Sequence, residues 1–227
     1  MALAFGATKG KAASNKIDAY VMTDGDNKVR IFGGVLPRYM YWIKGTNNKD
    51  IPVECLAFNR EKEKFDNIET DHVPKFYPAT DGKGKRLLNC QWSYSVNCID
   101  PKDGKAKVLH LKKKLFEEIL STAEDLGDPT DPETGWDICF KRIKTGPLAF
   151  NVSYSLQQIK CSASKRALNE DELAEIAKAK NIDDLYPRMT ADEVLALLEK
   201  IQAGGGDEDE APTAQGQAEQ EAVQDLK

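Results

Sequence analysis

The stretch Gln91-Trp92-Ser93-Tyr94-Ser95-Val96-Asn97-Cys98 decides the fold class, because apolar and small polar residues alternate along its whole length. Successive side chains of a β-strand point to opposite faces, so the two aromatic residues share one face with Val96 and Cys98. The pattern predicts a half-buried strand. The run from Phe150 to Gln157 repeats it.

Further strands are predicted upstream, at 17–23, 29–32, 38–44 and 51–58, with Asp24-Gly25-Asp26-Asn27 as a tight hairpin turn. One helix is predicted at 113–126, where apolar residues recur at helical spacing and Gly127 can end it. Several strands, one helix and two more strands follow the order of an oligonucleotide/oligosaccharide-binding (OB) barrel. We therefore expect a mainly β chain, with an OB-fold-like β-barrel and one internal helix over residues 15–167.

The segment after this body carries two helix-start signals. Asn169 and Thr190 each precede a Glu by three positions, which is the capping-box pattern. We expect a helical pair over 168–203 that docks on the barrel or on a second subunit, since two short helices cannot bury their apolar stripes alone. Residues 204–227 are expected to form a disordered acidic tail and residues 1–14 a flexible N-terminal arm.

Charge is distributed unevenly along the chain. Lys and Arg outnumber Asp and Glu by 27 to 21 up to Ala167, whereas from Leu168 onward they number 5 against 16. A basic body beside an acidic segment is typical of a nucleic-acid surface next to an interaction tail. A solvated surface with a solubilising tail is the alternative.

Several function classes are disfavoured. The chain has no P-loop, dinucleotide glycine pattern or HExxH motif, and neither histidine lies in a catalytic pattern, so we expect no enzymatic activity. Five cysteines without a C-x-x-C pair indicate a reducing compartment. Cys55, His72 and Cys90 are too widely spaced for a zinc site, and no cofactor is expected. No apolar run is long enough for a membrane span, so a cytoplasmic protein is expected.

Basic clusters interleaved with aromatic residues supply the positive signal. A single-strand binder needs cations along the phosphates and rings on which bases stack. On the strand 38–44, Trp42 lies between Arg38 and Lys44 on one face, and the loop pair Phe76-Tyr77 is the other candidate for stacking. Trp92, Tyr94, Phe150 and Tyr154 are instead expected in the core. The clustered cations are Lys83, Lys85, Arg86, Lys102, Lys105, Lys107, Lys112, Lys113, Lys114, Lys141, Arg142 and Lys144.

The run Leu126-Gly127-Asp128-Pro129-Thr130-Asp131-Pro132-Glu133-Thr134-Gly135-Trp136-Asp137-Ile138, continuing through Lys141-Arg142, Lys144-Thr145-Gly146 and Phe150-Asn151-Val152, resembles single-stranded DNA-binding proteins of tailed phages. The strand ending Val96-Asn97-Cys98-Ile99-Asp100-Pro101 is similar to a strand and turn of the same family. The resemblance covers residues 29–160 and the plan of an acidic tail.

This resemblance implies an OB-fold protein that coats unwound DNA during replication, recombination and repair in an infected bacterium. It also implies that Arg30, Lys105, Lys107, Lys141, Arg142 and Lys144 lie near the DNA path. The zinc-binding branch of these proteins has a compact His and Cys cluster that this chain lacks, so no zinc is carried over.

The acidic tail is the implied recruiter of replication proteins such as DNA polymerase or helicase/primase. Its candidate partner-binding residues are Asp207, Glu208, Asp209, Glu210, Asp225 and Leu226. Related tails often end on an apolar or aromatic residue, whereas this one ends on Lys227. An acidic-tailed adaptor protein, an RNA-directed OB module and a homodimer remain open alternatives.

Overall fold

The structure, a computed structural model, describes residues 17–45, 50–78, 80, 82–83, 88–147 and 151–204. The strands are β1 (Gly25–Lys44), β2 (Asp50–Glu54), β3 (Phe58–Asn59), β4 (Lys64–Phe65), β5 (Asn89–Ile99), β6 (Ala106–Leu111), β7 (Ile138–Lys144) and β8 (Val152–Leu156). The helices are α1 (Val73–Phe76), α2 (Lys113–Leu126), α3 (Gln158–Ala163), α4 (Glu170–Ile176), α5 (Ile182–Leu185) and α6 (Ala191–Gln202).

Five strands form one antiparallel sheet in the order β6-β5-β1-β7-β8, and β2 pairs with the far end of β1. The outer strands β6 and β8 are not paired with each other in the described ranges, so the predicted OB-fold-like barrel is confirmed there only as an antiparallel sheet with an internal helix. Helix α2 packs against β5 and β8 instead. The Leu156 amide in β8 donates to Glu118 Oε2 of this helix at 2.8 Å. The architecture is mixed α/β rather than mainly β.

Strand β1 is one continuous strand of 20 residues, where the sequence predicts two strands and a hairpin turn. The pairing with β5 passes from Phe32↔Asn97 to Val35↔Val96, so two glycines form a bulge. Gly33 has φ of 72°, a conformation that costs glycine little and bends the strand. The predicted strand at 17–23 is also wrong, because only Ala19 forms a bridge there.

The main core lies between the sheet and α2. It contains Val96 and Cys98 of the predicted alternating strand, and Leu115 and Ile119 of the predicted helix. The strand at 91–98 and the helix at 113–126 are thus confirmed. Both signals are local, and each element buries the face that its periodicity marks.

The C-terminal helices dock on the body of the same chain. Val194, Leu198 and Ile201 of α6 pack into a second core with residues of β1, β2 and α1. Helix α5 packs through Ile182 on the other face of the sheet. Both predicted capping boxes are confirmed, at the starts of α4 and α6. No helix of the described part of the chain is long and apolar enough to cross a membrane.

Candidate nucleic-acid interface

Five aromatic side chains meet on the sheet face that carries α2, and we call them the aromatic row: Tyr39, Phe65, Trp92, Tyr94 and Phe116. Tyr39 and Trp92 are cross-strand partners, with ring centroids 5.4 Å apart. The rings of Trp92 and Tyr94 are 6.2 Å apart and nearly parallel, and Phe116 stacks on Tyr94 at 4.1 Å. The row therefore runs continuously from β1 across β5 to α2.

The row is only partly covered. Phe65 is 46% exposed, whereas Tyr94 is 4% exposed and forms the floor. Trp92, Tyr39 and Phe116 are half-buried. Phe65 approaches Tyr39 edge-on, with centroids 5.1 Å apart. Half-exposed rings that are held by their neighbours are rigid surfaces on which a base can stack.

Three consecutive lysines, Lys112, Lys113 and Lys114, form the start of α2 beside this row. The helix start has no side-chain cap and no acidic residue in its first turn. Cations are unfavourable at this end of a helix, because the helix dipole is positive there. Lys113 Nζ lies 5.1 Å from the Trp92 ring centroid and 3.7 Å from Glu117 Oε1. The cations at this helix start destabilise the helix, and a bound anion would offset this effect.

Arg142 adds a positive charge close to Lys112. Burial lowers the pKa of Lys112, and the positive charge of Arg142 lowers it further. Arg142 pairs with Asp24. Lys141 and Lys144 of the same strand are exposed. An anion close to Lys112 would relieve its unfavourable electrostatics.

The hairpin cations divide into exposed and engaged residues. Lys102 and Lys105 are exposed. Burial opposes the charge of Lys107, but hydrogen bonds with Asp100 and Asp103 raise its pKa. Its Nζ lies 2.8 Å from a carboxylate oxygen of each. Lys107 is therefore already neutralised within the protein.

Arg30, which the resemblance places near the DNA path, is buried in a socket formed by the motif at 126–138. It is 2% exposed, and its Nη2 donates to the carbonyls of Asp131 at 2.9 Å and Arg166 at 3.1 Å. Asp137 Oδ1 lies 3.7 Å from Nη1. A Cβ at Gly135 would lie 2.7 Å from this guanidinium, so the motif requires glycine there. The run at 127–137 therefore has a structural role, because it surrounds the Arg30 side chain.

Arg38, another residue of the predicted interface, is likewise buried, at 0% exposure. Its guanidinium lies 4.0 Å from the Tyr186 ring centroid and donates to Ser95 Oγ at 3.0 Å. His110 bonds Ser95 and Tyr186 through its two ring nitrogens, at 3.0 and 3.1 Å. Burial and the charge of Arg38 lower the pKa of His110 to about 3. These groups attach the α5 segment to the sheet.

The three predicted stacking residues lie apart from the row. Trp42 is half-buried on the face of β1 opposite to Tyr39, and Lys44 beside it pairs with Asp50 at 2.7 Å. Phe76 and Tyr77 pack against the second core, which includes α6. Among the other predicted cations, Lys83 is exposed. Lys85, Arg86, Phe150 and the tail residues Asp207, Glu208, Asp209, Glu210, Asp225 and Leu226 lie outside the described residues.

The side chains that could suggest a metal site are engaged elsewhere. Cys55 Sγ lies 3.2 Å from both Tyr41 Oη and Asp71 Oδ2, and burial raises its pKa to about 12. No group of three or more His, Cys, Asp and Glu side chains in the described ranges could hold a metal ion.

The aromatic row was missed by the sequence interpretation for a physical reason. Tyr39 and Trp92 are distant in sequence and meet only through strand pairing. Alternation indicates which side chains share a face, but it does not indicate whether that face is covered. Phe65 carried a usable signal, because it stands in the charged run Glu61-Lys62-Glu63-Lys64-Phe65-Asp66. An isolated ring among charges is expected to be exposed.

These features define a protein with an antiparallel sheet, one face of which carries a lysine-flanked row of aromatic rings. The chain is 32% identical over 197 residues to the probable ssDNA-binding protein of Escherichia phage T5, and the match spans 85% of this chain and 74% of the phage protein. The chain belongs to the same family as that phage protein. No protein-family model matches the chain.

Proposed function

We propose that this protein coats single-stranded DNA without regard to sequence during phage DNA replication, recombination and repair. The observation that carries the proposal is the aromatic row with Lys113 beside Trp92. Bases of any sequence have a π-face, so a row of rings provides affinity without base readout. The relative in phage T5, a probable ssDNA-binding protein, supports the same ligand.

The strand order supports an open OB-type arrangement as the scaffold. The five sheet strands, counted along the chain, lie in the order third, second, first, fourth, fifth, and α2 connects the third to the fourth. That connection is the one expected of an OB fold. We propose that the single strand crosses β5 and the start of α2, where stacking and positive charge coincide.

The proposed phosphate contacts are cations at the start of α2, in the β5–β6 hairpin and on β7. Lys113 lies over the Trp92 ring, Lys114 follows it in the first turn of α2, and a bound anion would offset the unfavourable environment of the Lys112 charge. Lys102, Lys105, Lys141 and Lys144 are further exposed candidates, and we keep Lys44, Lys83 and Arg142 as weaker ones. The acidic tail is proposed to recruit replication proteins, on the strength of its charge.

The proposal is tested by titrating the protein with oligo-dT over a series of salt concentrations. If about five phosphates are neutralised, the slope of log K on log salt is expected near −3.5, from roughly −0.7 per phosphate on single strands. Lys113→Ala/Lys114→Ala should flatten the slope by about 1.4 units on the same basis. Fold stability should not fall, because these cations oppose the dipole of α2.

The matched control is Lys178→Ala/Lys180→Ala, which removes the same charge. Asn97 binds the Lys180 carbonyl from the opposite face of β5, so this control lies away from the row. The control should leave the slope unchanged. Equal effects of both double variants, or a wild-type slope near zero, would contradict the proposal. Competition between matched DNA and RNA oligomers distinguishes the proposed DNA-binding function from an RNA-directed OB module.

A further inference from the structure

A short hairpin formed by β3 and β4 lies against the aromatic row. It contains only two residue pairs, Phe58↔Phe65 and Asn59↔Lys64. Phe58 and Phe65 both contact Trp92, with centroids 5.0 and 6.1 Å away. A two-stranded hairpin is marginally stable by itself, so its position depends on contacts at its two ends.

The base of the hairpin is held firmly. Arg188, just before α6, donates through Nη2 to the carbonyls of Cys55, Leu56 and Phe58 at 3.1, 3.0 and 2.5 Å. Arg60, the first residue of the loop 60–63 that joins the two strands, forms a two-pronged pair with Glu54, at 2.7 and 2.5 Å. Bidentate arginine pairs of this kind are strong and directional. The base is therefore fixed to the C-terminal segment, and the start of the loop is fixed to β2.

The side chain of Glu63, the last residue of this loop, is held much more weakly. Glu63 is exposed, and Tyr94 Oη donates to its Oε2 over a long 3.4 Å. Glu63 also has φ of 48°, a left-handed conformation that is unfavourable for a non-glycine residue. Strained residues of this kind concentrate at binding and switching sites. The weak contact places a carboxylate at the middle of the aromatic row.

The negative charge of Glu63 affects its surroundings. Burial and the Glu63 carboxylate raise the pKa of Tyr94 to about 12. A phosphate passing over Trp92 and Phe116 would meet the same carboxylate. A phosphate and a carboxylate are both negative and repel each other, and this repulsion is stronger where water is partly excluded.

Building on the proposed function, we propose that Glu63 is an acidic gate on the DNA site: its carboxylate covers the row when DNA is absent and must swing away when a strand binds. The loop is anchored through Arg60, and the Glu63 side chain, which contacts Tyr94 through one long hydrogen bond, is the part that moves. The gate lowers intrinsic affinity and favours release of the strand. It acts on polyanions in general, so it does not select bases.

The test compares Glu63→Gln with Glu61→Gln in the full-length protein, using oligo-dT at low salt. Glu61 lies in the same hairpin and is exposed, so both variants remove one negative charge from the same loop. Removing a like charge near a phosphate should tighten binding by Glu63→Gln about fivefold, judged from a pair about 4 Å apart near water. Glu61→Gln should tighten it less than twofold.

Three outcomes would contradict the gate: equal tightening by both variants, no tightening by Glu63→Gln, or weaker binding by it. Weaker binding would indicate that the carboxylate accepts a hydrogen bond from a base. Glu63→Asn is the second variant, because asparagine tolerates the left-handed conformation and also removes the charge. It should tighten binding like Glu63→Gln. Wild-type protein that fails to bind oligo-dT would contradict the proposed function itself, whereas binding without a Glu63 effect contradicts only the gate.

Discussion

Phe65→Ala should weaken single-stranded DNA binding far more than it weakens the fold. The ring is 46% exposed and leans against Tyr39 and Trp92, so about half of it is available to a base. Loss of one stacking ring costs about 1–3 kcal/mol of binding. At about 1.4 kcal/mol per factor of ten, Kd for oligo-dT should rise about 5- to 150-fold.

The stability cost of the same change is smaller. Full burial of a phenylalanine contributes about 1.5–3 kcal/mol, and this ring is about half buried, so unfolding should become about 1 kcal/mol easier. Binding is measured by fluorescence titration and stability by urea unfolding. Ile68→Ala is the control, since Ile68 is 72% exposed in the same insertion and lies outside the row. A Kd within twofold of wild type for Phe65→Ala would refute the stacking role.

Three further outcomes are expected. Arg30→Met should destabilise the fold by about 3 kcal/mol in urea unfolding, because the buried Asp137 carboxylate loses one of its positive partners. The folded fraction should bind oligo-dT as before. A loss of binding without a loss of stability would indicate that Arg30 acts in the DNA interface. His110 has its pKa lowered to about 3, so the unfolded chain binds a proton that the folded chain does not between about pH 3 and 6.5, and stability should fall as pH decreases through this window. Between pH 6.5 and 5, His110→Gln should have a flatter stability profile than wild type, and parallel profiles would contradict this assignment. Truncation after Ala203 should tighten oligo-dT binding at low salt, since a tethered polyanion competes with DNA for the lysines, and an unchanged Kd would show that the tail does not compete.

Elements with local signals could be predicted from the sequence. The alternation around Tyr94, the helical spacing after Lys112 and the capping boxes at Asn169 and Thr190 all correspond to observed elements. Each of these signals involves residues within one or two turns or one strand. Local physics alone is sufficient for them.

Features that depend on long-range contacts could not be predicted in the same way. Gly33 and Gly34 suggest a break, yet pairing with β5 carries β1 through them as a bulge. Arg30 is basic and next to a family motif, but Asp137 and two backbone carbonyls bind it from more than 100 residues away. A cation's role depends on whether an internal partner is already present. That information lies in the tertiary structure.

The most direct test of the account follows tryptophan fluorescence during an oligo-dT titration of Trp42→Phe and Trp92→Phe. The chain has three tryptophans, and Trp136 is fully buried, so a bound strand can quench only the other two by contact. The account predicts that quenching persists in Trp42→Phe and is largely lost in Trp92→Phe, because the strand stacks along the aromatic row. Quenching that disappears with Trp42 and survives without Trp92 would place the DNA on the opposite face of the sheet and contradict the account.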